Sequence, residues 1–195
     1  VAGKENRRIK DVGTLKALAH PLRANLYRLL SVARVATASQ LADQVDEAVS
    51  LVSYHLRKLA EHELIEEAEP QSRDGRERWW QPSSDGVTIR DADFRDAPEK
   101  AAAHTAATRL FHEQRADLYR RYLDERAAWG PEWNTASQDS ESWLRLTPVE
   151  LAELGEELLA VLRKYDEKGR AAEVAGETEG RENVALHVYG FPFRI

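Results

Sequence analysis

AVSLVSYHLRKLAEH, residues 48–62, reads as a short helix with two unlike faces. Val49, Val52, Leu56 and Leu59 recur three, four and three positions apart, a spacing that sets all four on one stripe predicted to face a core. The opposite side then presents Ser50, Leu51, Tyr54, Arg57 and Lys58, with Ser53 and His55 on its flanks. Hydroxyls, an aromatic with a polar tip and two cations suit a DNA major groove. Arginine and lysine donate to guanine acceptors or phosphate oxygens there, and serine and tyrosine serve either. A plain solvated helix face is the alternative for the segment taken alone.

Upstream lies TASQLADQV, residues 37–45, where Thr37 or Ser39 can cap a short helix with Leu41, Ala42 and Val45 on one side. Further upstream, from Val12 to Val32, Leu15, Leu18, Ala19, Leu26, Leu29 and Leu30 recur at helical spacing, interrupted by His20-Pro21. Proline disfavours helical geometry in the residue before it and suits the first turn of a new helix, which predicts a helix-corner-helix. Downstream, LIEEAE and RERWWQ flank QSRDG. Asp74-Gly75 is a hairpin signal, because these residues tolerate the positive φ that a tight turn requires. Arg73, Arg76 and Arg78 would make the hairpin a cationic wing. An ordinary surface hairpin is the plainer alternative, less suited to a position just after two short helices.

Together these residues resemble the arsenical-resistance-regulator (ArsR-type) winged helix-turn-helix family. The resemblance covers about residues 12 to 85 and rests on Leu18-Ala19-His20-Pro21-Leu22-Arg23, Leu41-Ala42, Ser50-Leu51-Val52-Ser53-Tyr54-His55-Leu56, Leu59 and Leu64-Ile65. It implies a homodimeric transcription factor, usually a repressor, that binds a palindromic operator and responds to a signal. Carried over by position, Ser50, Ser53, Tyr54, His55, Arg57 and Lys58 fall on the groove helix and Arg73, Arg76 and Arg78 on the wing. His20 falls on helix-start punctuation, a structural role. Some relatives sense soft metals through cysteines on the helix corresponding to Ser39–Val45, but this chain has no cysteine, which excludes a thiolate sensor and a cysteine nucleophile. His104 and His112 stand eight positions apart, about 12 Å along a helix, too far to share an ion within one subunit. No metal or other cofactor is expected. A zinc or nickel site shared across a dimer is the remaining arrangement.

The net charge of -6 looks adverse for a nucleic-acid binder until it is divided along the chain. Residues 1–90 carry 14 basic and 13 acidic side chains, residues 91–195 carry 14 and 21, and residues 1–34 alone carry 8 and 2. The acid therefore sits in the second half, while the first 34 residues would attract phosphates. No stretch approaches the roughly 20 apolar residues of a membrane span, and the first residues lack the apolar run of a secretory signal, so a cytoplasmic location is expected.

APEKAAAHTAATRLFHEQRADLYRRYLDERAA, residues 97–128, predicts a long helix. Ala103, Ala107, Leu110, Phe111, Leu118, Tyr122 and Trp129 form a broad stripe along it, read as a dimer surface, with an intramolecular core helix as the alternative. Gly130-Pro131 closes it, and a polar connection leads to SWLRL, residues 142–146, which alternates like a strand. Thr147 with Glu150 predicts a capping box for a helix buried through Leu151, Leu154, Leu158, Leu159 and Leu162 and ending near Lys164. A mobile loop is expected over 166–182. NVALHVYGFPFRI, residues 183–195, reads as a closing strand paired with 142–146, and Trp143, His187, Tyr189 and Phe191 as its core or an effector pocket.

The expected architecture is mainly α with small β elements: a winged helix-turn-helix DNA-binding domain over 1–92, then a long dimerisation helix and a small α+β C-terminal unit over 93–195. The expected partners are double-stranded DNA, a second copy of the chain and an effector of unidentified chemistry, with no membrane. The competing reading is a winged-helix adaptor that binds protein rather than DNA. No Gly-rich phosphate loop, HExxH or G-x-S-x-G sequence is present, so no catalytic residue is expected.

Overall fold

The computed structural model describes residues 6–71 and 77–194. They divide into two compact units, Val1–Asp124 and Glu125–Ile195. The first unit runs β1 (Arg7–Ile9), α1 (Val12–Leu18), α2 (Pro21–Ala33), β2 (Ala36–Thr37), α3 (Ala38–Val45), α4 (Val49–Glu61), β3 (Ile65–Glu67), β4 (Trp79–Pro82), β5 (Val87–Ile89) and the long α5 (Pro98–Glu125). The chain is thus mainly helical with small sheets, a helix-turn-helix near its start and a long helix after it.

The punctuation is local chemistry. Asp11 caps α1 by accepting from the Thr14 amide at 2.7 Å. His20 is extended and Pro21 opens α2, and the corner is held by Arg23, whose Nε donates to the Ala17 carbonyl. Thr37, not Ser39, caps α3: its Oγ1 accepts from the Gln40 amide while its own N–H donates to the Gln40 side chain, a reciprocal box. Asp46 ends α3 at a φ of 53°, in the left-handed region. β2 and β3 each pair antiparallel with β4, and β1 lies parallel to β5.

Leu15, Leu26, Leu30, Leu41, Val52, Leu56, Leu59, Leu64 and Phe94 meet in one core. Fully burying each such side chain is worth about 1.5–3 kcal/mol, which fixes α4 against α2 and α3. Ala107 of α5 belongs to the same core, with Ala103 and Phe111 packed on it, and Gln114 Nε2 donates to the Pro21 carbonyl at 3.1 Å.

One correction concerns α4. Val52, Leu56 and Leu59 are buried as predicted, but Val49 is 45 % exposed and His55 takes the fourth inward place. At 100° per residue, Val49 and His55 lie on opposite shoulders of the buried stripe. His20, at the head of α2, covers the shoulder of His55, while the shoulder of Val49 opens on a cleft.

The second unit contains α6 (Gly130–Ala136), after a 3-10 turn over Arg126–Trp129, and α7 (Pro148–Ala175). The Thr147–Glu150 capping box forms as predicted. Several expectations fail here. The leucine stripe of α7 is not buried: Leu158 and Leu159 are exposed and Leu151, Leu154 and Leu162 are half-buried. Residues 130–136 are helical rather than a plain connection. α7 continues to Ala175, because a charge-rich stretch without apolar period still consists of good helix formers, aided by the Asp166–Arg170 pair one turn apart, until Gly176 stops it at a φ of 76°. Residues 142–146 and 184–194 form no ladder among the described residues. Trp143 and Phe191 are exposed rather than core, the contact there being between the Trp143 and Phe193 rings at 5.0 Å. A two-stranded ribbon is marginal by itself, so alternation alone did not suffice. Among the described residues no helix is long and apolar enough to cross a membrane.

Candidate nucleic-acid interface

α4 holds its polar side away from the core. Ser50, Leu51, Tyr54 and Arg57 are exposed, and Ser53 and Lys58 are half-buried on the same side. Lys58 Nζ lies 2.7 Å from Glu61 Oε2 and 5.8 Å from the centre of the Tyr54 ring. The hydrogen bond that Lys58 donates to Glu61 holds its ammonium above its ordinary pKa, so it is a fixed cation. Arg57 forms no ion pair among the described residues.

His55 does not join this face. Only 6 % of it is exposed, and its ring packs tilted on His20 at 4.7 Å and edge-on to Tyr54 at 5.2 Å. The expectation that His55 contacts DNA is therefore corrected: the ring is enclosed beneath the face it was assigned to.

On the wing, Arg78 is exposed, paired with Glu67 at 3.2 Å and placed over the Trp80 ring at 5.6 Å. Arg73 and Arg76, with the Asp74-Gly75 turn, lie outside the described residues. Between the start of α3, α4 and β4 is an open cleft of about 330 Å³ lined by Thr37, Ala38, Ser39, Val49, Ser53, Arg57, Glu77, Arg78 and Trp80. Ser39 Oγ donates to Glu77 Oε1 at 2.9 Å across it. Sequence reasoning missed Ser39, Val49 and Glu77 as members of this rim. The available signal was Gln40 three residues after Thr37, which completes a capping box on Thr37 and leaves the Ser39 hydroxyl for another partner.

The basic N-terminal stretch proves less open than its charge suggests. Arg7 donates to the carbonyls of His62 and Glu63, Arg8 grips Asp93, Arg23 binds the carbonyls of Ala17 and Lys16, and Arg28 reaches Asn25. Arg7, Arg8 and Arg23 thus link separate segments of the fold.

Among the residues expected at a dimer surface, Ala107 is 1 % exposed within its own unit, and Ala103 and Phe111 pack on the same core. For these three the intramolecular alternative holds, because the first half of α5 covers the helix-turn-helix core. Leu110, Leu118 and Tyr122 are half-buried, and Tyr119 and Leu123 beside the last two are 43 % and 45 % exposed. His104 stacks on Phe94 at 5.3 Å with Nδ1 3.5 Å from Asp91, while His112 is exposed.

Residues 18–68 match a family described as a helix-turn-helix domain. No curated protein matches the chain. Among solved structures, one described as a "possible transcriptional regulator for arsenical resistance" is similar at 25 % identity, covering 60 % of this chain and 96 % of that one, with a TM-score of 0.31. A double mutant of ZitR from Lactococcus lactis is similar at 16 % identity, covering 74 % of this chain and 73 % of that one, with a TM-score of 0.30. Its apo form is similar at 18 % identity, covering 78 % and 90 %, with a TM-score of 0.29.

Proposed function

We propose that this chain is a sequence-specific, DNA-binding transcriptional regulator of the arsenical-resistance-regulator type, a homodimeric repressor that reads a two-fold operator. The observation that carries the reading is α4 itself. Within a helix-turn-helix, an aliphatic stripe anchors it from below while Ser50, Ser53, Tyr54, Arg57 and Lys58 stand together on its open side. Donors grouped in this way suit base edges and phosphates together, and Arg78 beside them suits a wing that follows the sugar-phosphate backbone. On this reading residues 1–92 do the reading, and 93–195 supply the second copy's contacts through the distal part of α5. The repressor role follows the family resemblance, and an effector would act through the second half.

Selection of duplex fragments by the purified full chain tests the proposal. A preferred sequence is expected, with affinity falling steeply as salt rises. Arg57→Ala or Tyr54→Ala should weaken binding to the selected duplex by about 1–3 kcal/mol and relax preference at particular positions, whereas Arg78→Ala should weaken all duplexes alike. No preference for any selected duplex over random competitor would overturn the reading.

A further inference from the structure

Val49 and Leu51 are ill suited to a surface that seeks only phosphates. They are 45 % and 38 % exposed, and neither belongs to the core. A single exposed aliphatic needs no explanation, but here two occupy the first turn of α4, whose other outward positions include Ser50, Ser53, Tyr54, Arg57, Lys58 and Glu61. In helix-turn-helix proteins the first residues of the groove helix are those that reach base edges.

The two are separated by 200° around the helix axis and about 3 Å along it. They therefore stand on opposite edges of the open face, with Ser50 between them. The edge of Val49 is shared with Ser53 and Arg57 and opens on the cleft beside Trp80, and the edge of Leu51 is shared with Tyr54 and Lys58. An aliphatic side chain set against guanine O6, cytosine N4 or adenine N6 would strip water from a donor or acceptor and give nothing back. Set against the C5-methyl of thymine, it joins two apolar surfaces.

We infer that Val49 and Leu51 are specificity residues that each take up a thymine methyl, so that a half-site carries thymines at two separate positions on either side of the base met by Ser50. The inference rests on the proposed reading of DNA by α4. It is more specific than that reading, because hydroxyls and cations alone would leave those two positions free.

The experiment replaces thymine by deoxyuracil, one position at a time, in the duplex selected by the full chain, and measures affinity for the wild type, Leu51→Ala and Val49→Ala. Removing one buried methyl should weaken the wild type about fourfold at each of two positions in a half-site and at their two-fold mates. At one of them Leu51→Ala should be indifferent to the methyl, at the other Val49→Ala, and both variants should retain helical circular dichroism. If uracil is tolerated everywhere, or if each variant loses as much as the wild type at every position, the inference fails while DNA reading stands. If no duplex is selected at all, the broader proposal fails and takes this one with it.

Discussion

His20 and His55 meet at 4.7 Å beneath α4, and neither Nδ1 finds a hydrogen-bond partner among the described residues. Burial first, and then the neighbouring Arg23 for both and His20 for His55, hold these imidazoles below the ordinary value of 6.5; Glu47 pulls His55 the other way, and the backbone of His20 does so for that ring. Tyr54 is the remaining group that faces the pair. A histidine depressed in the folded state is neutral in both states at high pH, so it costs nothing there. As pH falls through 6.5 the unfolded chain takes up protons that the folded chain refuses, and stability declines until the lower folded values are passed. Urea midpoints measured at pH 7.5 and 5.5 should thus drop more for the wild type than for His55→Leu. An equal drop would show that the pair does not govern the acid side. The sequence puts His55 on the flank of the outward side of α4, but which flank is covered depends on His20, 35 positions away, and periodicity within one helix cannot reveal that.

At the scale of elements, α4 and the strands flanking the wing were legible because their signals are local: an apolar period, a proline corner, a capping pair and two short segments either side of a turn signal. What was not legible is how their charges are occupied. Arg78 is engaged by Glu67 of the adjoining strand, and Lys58 by Glu61 of its own helix, so a phosphate competes with a carboxylate for either cation. Exposed pairs of this kind hold by about 1 kcal/mol or less, so the competition is winnable but not free. Glu67→Gln is accordingly expected to tighten binding to any duplex by up to about fivefold without changing preferred sequence, measured by titration at fixed salt. A loss of affinity would instead show that Glu67 positions Arg78 for contact rather than occupying it. The same contrast explains α7. Its cap at Thr147 is punctuation visible in the sequence, whereas its stop at Gly176 is not distinguished there from Gly169 inside the helix, and the charged turns between 166 and 175 carry no apolar period to mark them as helix.

For the molecule as a whole, charge and symmetry bear on each other. The unit 1–124 carries 20 basic and 20 acidic side chains, while 125–195 carries 8 and 14. A single copy thus has little long-range attraction for DNA and must rely on the few cations on α4 and the wing. Two copies tethered across a two-fold axis convert the second half-site contact into an intramolecular one, which raises affinity by about 10²–10⁴-fold with no new contact type. The first half of α5 cannot supply the tether, since Ala103, Ala107 and Phe111 face their own core. The later turns can: Leu118 and Tyr122 continue the stripe, and Tyr119 and Leu123 add exposed apolar surface beside it. Sedimentation equilibrium should therefore give twice 22.1 kDa for the wild type. Leu118→Asp combined with Leu123→Asp should bring the mass back to that of one chain, lower affinity for a two-fold duplex by at least 100-fold, and leave affinity for an isolated half-site almost unchanged. A wild type that sediments as one chain while saturating the two-fold duplex would separate DNA reading from dimerisation and remove α5 from the account.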